Sequence, residues 1–244
     1  MNKKNLCVLV SSCILLAGAL MALPASAHQP QVPGDATNID VPDPTVSKAY
    51  YAELKGQPVT YHLEATAPFT LYLNVLVPKI ADVTEDYTLT VTKDGQPWTV
   101  LTPGTAPWNV FHEPFGGDTY WMGPEYKADV QPGDYEVTVS SPDNRGKYVL
   151  AIGELESFPA SEILRTMKTL VEVKHYFGKP SIAIFQSPFI YGPTIGLVII
   201  VGGVWWLIAW RRRRGARHSG PPNPPPHLPS TSSGQVRRGV CEKT

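Results

Sequence analysis

The chain has 244 residues and a formal net charge of zero, but residues 28–188 hold 11 basic and 20 acidic side chains while residues 211–244 hold 8 and 1. The acidic middle excludes a nucleic-acid partner, whose phosphates demand lysine and arginine. The absence of cysteine between Cys13 and Cys241 excludes a disulfide framework, so stability must come from a packed core.

Taken in order, the chain opens with Lys3 and Lys4, then an apolar run from Leu6 to Leu23, then Ala25-Ser26-Ala27. This is the pattern of a signal peptide over residues 1–27, with cleavage after Ala27 and His28 as the mature N-terminus. An uncleaved signal anchor, or a lipoprotein processed at Cys13, is the alternative. Residues 28–46 are polar and Pro-rich and are expected as an extended N-terminal segment.

From residue 47 to 156 the pattern is short period-2 alternation. Tyr50, Ala52 and Leu54 alternate with polar residues, as do Val59, Tyr61 and Leu63. Phe69, Leu71, Leu73, Val75 and Val77 make the longest run, and Tyr87, Leu89 and Val91 end at Lys93-Asp94-Gly95. Tyr135, Val137 and Val139 follow Pro132-Gly133-Asp134, and Tyr148, Leu150 and Ile152 follow a second Asp- and Gly-containing turn. Short strands so spaced predict a mainly β ectodomain, an antiparallel β-sandwich.

Between Trp98 and Tyr126 the alternation fails. The stretch holds Trp98, Trp108, Phe111, Phe115, Tyr120, Trp121 and Tyr126 among prolines and glycines, and it reads as long loops around one or two short strands. Two roles compete for it. Trp98, Trp108, Phe111, Tyr120, Trp121 and Tyr126 could form a platform on which a sugar or peptide stacks, or the same rings could plug one open end of the sandwich.

Residues 157–178 switch to helical spacing, with Ile163, Met167, Leu170, Val171, Lys174 and Phe177 on one stripe, Pro159 at the start and Gly178 at the stop. This membrane-proximal helix should pack on the sandwich or lie at the membrane surface, with a dimerising helix as the alternative. Residues 189–210 carry no charge and, as a helix, span about 33 Å, enough for a bilayer core. Tyr191 lies near one end, and Trp205, Trp206 and Trp210 crowd the other, followed at once by Arg211, Arg212, Arg213 and Arg214. The positive-inside rule then predicts a single-pass protein of the cell membrane, with the β domain extracytoplasmic and the C-terminus cytoplasmic. The tail over residues 211–244 is basic and Pro-rich and is expected to be disordered, either solvated or offering a docking peptide.

The residues from Tyr51 to Gln57, followed by Val59-Thr60-Tyr61, and the closing runs Gly133-Asp134-Tyr135 and Gly146-Lys147-Tyr148 resemble the jelly-roll sandwich of bacterial pre-peptidase C-terminal domains. The likeness covers roughly residues 47 to 152 and implies an accessory, non-catalytic module on a secreted protein. The chain departs from that pattern by carrying no peptidase and by its aromatic insertion. Its layout also resembles a group of single-pass bacterial surface proteins, which brings no chemistry with it.

No Gly-x-Ser-x-Gly, His-Glu-x-x-His or phosphate-loop motif occurs, so no enzyme is expected, with an unrecognised hydrolase as the residual alternative. One metal reading competes with the absence of any cofactor. Cleavage after Ala27 would let the α-amino group and imidazole of His28 chelate copper(II), with His62 or His112 as a further ligand. Some copper-handling β-sandwich proteins use an N-terminal histidine in this way, and the resemblance is to that feature only. The expected function is a non-enzymatic, membrane-anchored binding or structural module. Its partner besides the membrane is a protein, a cell-surface glycan or a second copy of itself.

Overall fold

The computed structural model describes residues 28–218 apart from Asp82 and Phe158; the expected signal peptide and the tail beyond His218 lie outside the described residues. Eleven strands are described: β1 (Gln29–Gln31), β2 (Asn38–Asp40), β3 (Lys48–Lys55), β4 (Val59–Ala65), β5 (Phe69–Pro78), β6 (Thr88–Lys93), β7 (Gln96–Leu101), β8 (Asn109–His112), β9 (Thr119–Val130), β10 (Gly133–Ser140) and β11 (Arg145–Ile152). They form a six-stranded sheet in the order β1-β3-β11-β5-β9-β8 and a five-stranded sheet in the order β2-β4-β10-β6-β7.

Alternation fixes the register, because a one-residue slip would turn every apolar side chain to the other face. In the six-stranded sheet Leu150 lies opposite Tyr50 on one side and Val75 on the other. In the five-stranded sheet Val137 lies opposite Tyr61 and Val91. These rows share one buried core between the sheets. Tyr61 and Tyr148 join hydroxyls across it at 2.9 Å, and Tyr50 packs edge-on against Tyr61.

The six-stranded sheet is buried on its other face as well. Tyr51, Val149 and Leu76 form an outward row, and α1 (Ala160–Tyr176) lays Val173 over it, with Phe177 just beyond the helix end. The Tyr176 hydroxyl donates to the Tyr148 carbonyl at 2.6 Å.

Residues 28–46, expected only as an extended stretch, supply one short strand to each sheet. β1 pairs parallel with β3, and β2 pairs parallel with β4. Gly153 lets the chain after β11 pass this segment: a Cβ there would lie 2.5 Å from the Val46 carbonyl, at a φ of +78°. Residues 98–126 are not long loops. They hold most of β7, all of β8 and two thirds of β9, with a 3-10 turn at Pro103–Thr105. Within β9 the alternation is broken by a bulge opposite β5, where buried Asn74 donates to the carbonyls of Gly123 and Pro124 at 3.1 and 3.2 Å, and β7 has its own register shift against β6.

After α1 come a 3-10 turn, Ser181–Gln186, and α2 (Pro188–His218). Within α2, Ile190–Arg213 is 24 residues long with a mean hydropathy of 1.9, long and apolar enough to cross a membrane. The chain divides into two compact units within α2, after Ile200. The first holds the sandwich, α1 and the opening turns of α2; the described part of the second is the remainder of that helix, which carries Arg211 to Arg214.

Candidate functional site

The hairpin tip between β8 and β9 is built by its own carboxylate. Glu113 accepts the backbone N–H of Phe115 at 2.7 Å and that of Gly116, which curls residues 113–117 into a tight turn. Burial raises the Glu113 carboxyl above its usual range, against the lowering pull of those two N–H groups. The turn aims the Gly116 carbonyl and the Asp118 carboxylate at the last turn of α1. Lys174 donates to both, at 2.7 and 2.6 Å, and Lys179 donates to the second Asp118 oxygen at 2.6 Å. Asp118 and Lys174 are wholly buried, while Lys179 is 35% exposed. One residue of the same tip, Phe115, packs with Leu170 of α1 and Ile190 of α2, and its carbonyl accepts the Ser187 hydroxyl at 2.6 Å.

Two buried charges taken from water cost several kcal/mol each, so such a pair persists only when every donor and acceptor is met. Here both Asp118 oxygens and the Lys174 ammonium are engaged. What the cluster does is mechanical: it joins the sandwich, α1 and the chain leading into the apolar helix at one point. Sequence reasoning placed Lys174 on the apolar stripe without drawing the consequence. A lysine between Leu170 and Phe177 on a buried face requires buried acceptors opposite, carboxylate or carbonyl, and that was the available signal. Asp118 itself has no such signature among glycines and prolines.

A second feature is a cleft of about 710 Å³ between β1, β2 and α1. Its charged lining is Asp40, Asp43, Lys48, Glu162, Arg165 and Glu172. Both cations are already held. Lys48 donates to the carbonyls of Pro42 and Asp43 at 2.6 and 2.8 Å, and Arg165 binds Gln31 and, at 3.5 Å, Glu162. Burial lowers the Lys48 ammonium below its usual range. The lining is therefore net negative, and its volume matches that of small-ligand sites.

The six aromatic candidates do not share one face. Tyr120 is buried and bonded to the Tyr51 hydroxyl at 3.1 Å. Trp108, Trp121 and Tyr126 are half-buried against the core, and Phe111 packs on the layer under α1. Trp108 lies flat on Gly123, where a Cβ would come within 2.5 Å of its ring. Trp121 carries the Lys79 ammonium 4.4 Å from its centroid. Trp98 alone of the six is strongly exposed, at 46%, and it donates to the Tyr126 hydroxyl at 2.8 Å.

Nor are the three candidate metal histidines brought together. His28 precedes β1, at one edge of the six-stranded sheet, and bonds Ser47; His112 lies in β8 at the opposite edge and bonds Thr119 at 3.2 Å. His62 lies in the other sheet, 3.3 Å from Glu136. Burial lowers the His28 imidazole below its usual range. Among the described residues no group of three His, Cys, Asp or Glu side chains is placed to hold a metal ion. Among the described residues, His28, His112 and His175 each touch a hydroxyl and His62 touches a carboxylate, whereas a triad base touches both.

Fold and joint define a class: a two-sheet β module fastened to a helix of membrane-crossing length. No family model matches the chain, and no curated protein matches it. Among solved structures, it is similar to the pre-peptidase C-terminal domain of a collagenase from Bacillus anthracis, at 14% identity and a TM-score of 0.29, over 50% of this chain and 95% of that one. It is also similar to a 4-O-methyl-α-glucuronidase with specificity for decorated arabinogalactans, at 16% identity and a TM-score of 0.28, over 42% of this chain and 14% of that one. A third is a ruminal endo-β-1,4-mannanase, at 14% identity and a TM-score of 0.25, over 45% and 20%. Likeness at these values decides no activity, and the chain spans only a small part of the two enzymes.

Proposed function

We propose that the protein is a non-enzymatic binding or structural module, held outside the cytoplasm by one transmembrane helix. The observation that carries this reading is the buried joint of Asp118 with Lys174 and Lys179, seconded by Ser187 on the Phe115 carbonyl. The buried pair and the Ser187 hydroxyl hold α1 and the chain up to Ser187 against the sandwich, which suits a module whose following segment is an anchor. The four arginines after Trp210 support a cytoplasmic C-terminus.

Within this reading the partner surface is the cleft between β1, β2 and α1, which combines concavity with polar groups from three elements. Glycan stacking by the 98–126 insertion is the weaker alternative, since a single exposed tryptophan makes a small platform. Copper at His28 is weaker still, since His62 and His112 stand on other strands.

The test is topological. Protease added to intact spheroplasts should remove residues 28–185 and spare the tail, and neutral replacements of Arg211 to Arg214 should weaken that orientation. Protection of the β domain, with digestion of the tail, would reject the proposal.

A further inference from the structure

The 3-10 turn Ser181–Gln186 has two unlike sides. Ala183 and, just after the turn, Ser187 are buried, and Ser187 is tied to the hairpin tip. Ile182 and Phe185 point away, at 72% and 56% exposed. In a 3-10 turn residues three apart stack on one side, so these two form a single apolar edge. Tyr191, also exposed, continues the segment into α2, whose apolar stretch begins at Ile190.

Position and charge say what covers this edge. Only four residues separate Phe185 from Ile190, where the apolar stretch opens, so the edge stands beside the headgroup layer, about 5–8 Å deep, that flanks a hydrocarbon core. From Val173 to Trp210 the sequence contains no aspartate or glutamate, and Lys179 and His175 are the accessible basic groups beside the turn. Asp118, the carboxylate paired with Lys179, is buried, so an apolar edge continuous in sequence with a helix long enough to cross a membrane fits a lipid surface.

We propose that Ile182 and Phe185 insert into the headgroup–acyl boundary of the leaflet where the helix begins. The turn is then a second membrane contact, and the joint at Asp118 transmits its position to the sandwich. This rests on the reading that Ile190–Arg213 spans the bilayer.

The experiment uses the full chain with Cys7, Cys13 and Cys241 replaced by serine, in phosphatidylcholine vesicles. Single cysteines carrying an environment-sensitive fluorophore are placed by Ile182→Cys, Phe185→Cys, Val100→Cys and Val201→Cys. Val100 is an exposed residue of β7, and Val201 lies within the helix. Expected are a blue shift at 182 and 185, with loss of emission to lipids spin-labelled near the headgroup and little loss to aqueous iodide. Position 100 should respond to iodide alone, and position 201 to lipids labelled deep in the acyl chain. Iodide quenching at 182 and 185 like that at 100, with 201 still quenched by deep lipid, overturns this proposal alone. Shielding from iodide without lipid quenching also overturns it, since a protein contact then covers the edge. Loss of deep quenching at 201 overturns the span and this proposal together.

Discussion

Replacing Asp118 with asparagine isolates the energetics of the joint. The side chain keeps its shape but loses its charge, and Lys174 stays wholly buried beside a neutral amide and the Gly116 carbonyl. Removing one partner of a buried pair costs about 3–5 kcal/mol, because the other charge is left uncompensated. At about 1.4 kcal/mol per power of ten, that is a rise of about two to three and a half powers of ten in the unfolding constant. Lys179→Ala removes a half-exposed partner and should cost no more than about 1 kcal/mol. The double change Asp118→Leu with Lys174→Met removes both buried charges and should recover most of the Asp118→Asn loss. Urea unfolding of the full chain in detergent micelles, followed by tryptophan fluorescence, gives all three values. If Asp118→Asn costs less than Lys179→Ala, or the double change is worse than Asp118→Asn, the joint is not held by its buried pair and the reasoning fails.

Three further outcomes follow from the packing. Trp108→Ala should cost about 2–4 kcal/mol and Gly123→Ala about 1–3, since the first opens a hole over the bulge and the second drives a Cβ into the ring; Trp98→Ala should stay within about 1 kcal/mol, and thermal melts that reverse this order would restore the platform reading. Tyr61→Phe leaves the Tyr148 hydroxyl without its partner and should cost about 1–3 kcal/mol, whereas Tyr61→Phe with Tyr148→Phe should cost less than the single change, a non-additivity read from a double-mutant cycle. Glu113, its carboxyl raised by burial, binds a proton more tightly folded than unfolded, so it withdraws stability as pH rises from about 4.5 to its raised value; Glu113→Gln should gain on the parent in melting temperature across that window, and a difference independent of pH would show that the raised carboxyl is not the cause.

Much of this architecture is legible in the chain because water enforces it. The inward rows of Leu71-Leu73-Val75-Val77 and of Tyr135-Val137-Val139 alternate cleanly, since one side of each meets the core. The helix over 160–176 follows from a stripe of period 3.6. The second buried face was harder to see. In Tyr148-Val149-Leu150-Ala151-Ile152 apolar residues run without a break, and that continuity marks burial on both faces, which a reading by alternation passes over. Of the strands in the 98–126 stretch, β9 has its period broken by the bulge at Gly123-Pro124, and β7 and β8 are mostly exposed, so neither shows an inward apolar row. The cleft was not legible at all, because Asp40, Lys48 and Arg165 meet only through long-range pairing.

The order of strands has a consequence for how the molecule is made. β11 is the last strand in the sequence, yet it lies between β3 and β5 in the middle of its sheet. Until Ile152 has been synthesised the six-stranded sheet lacks an interior member, and β3 and β5 have no shared neighbour. A nascent fragment that ends before β11 lacks the strand that joins β3 to β5, and the pairing of β11 with β3 is distant in sequence and so slow to form. α1 and the apolar helix follow soon after that strand. Closure of the six-stranded sheet therefore falls late in synthesis, shortly before the apolar helix emerges.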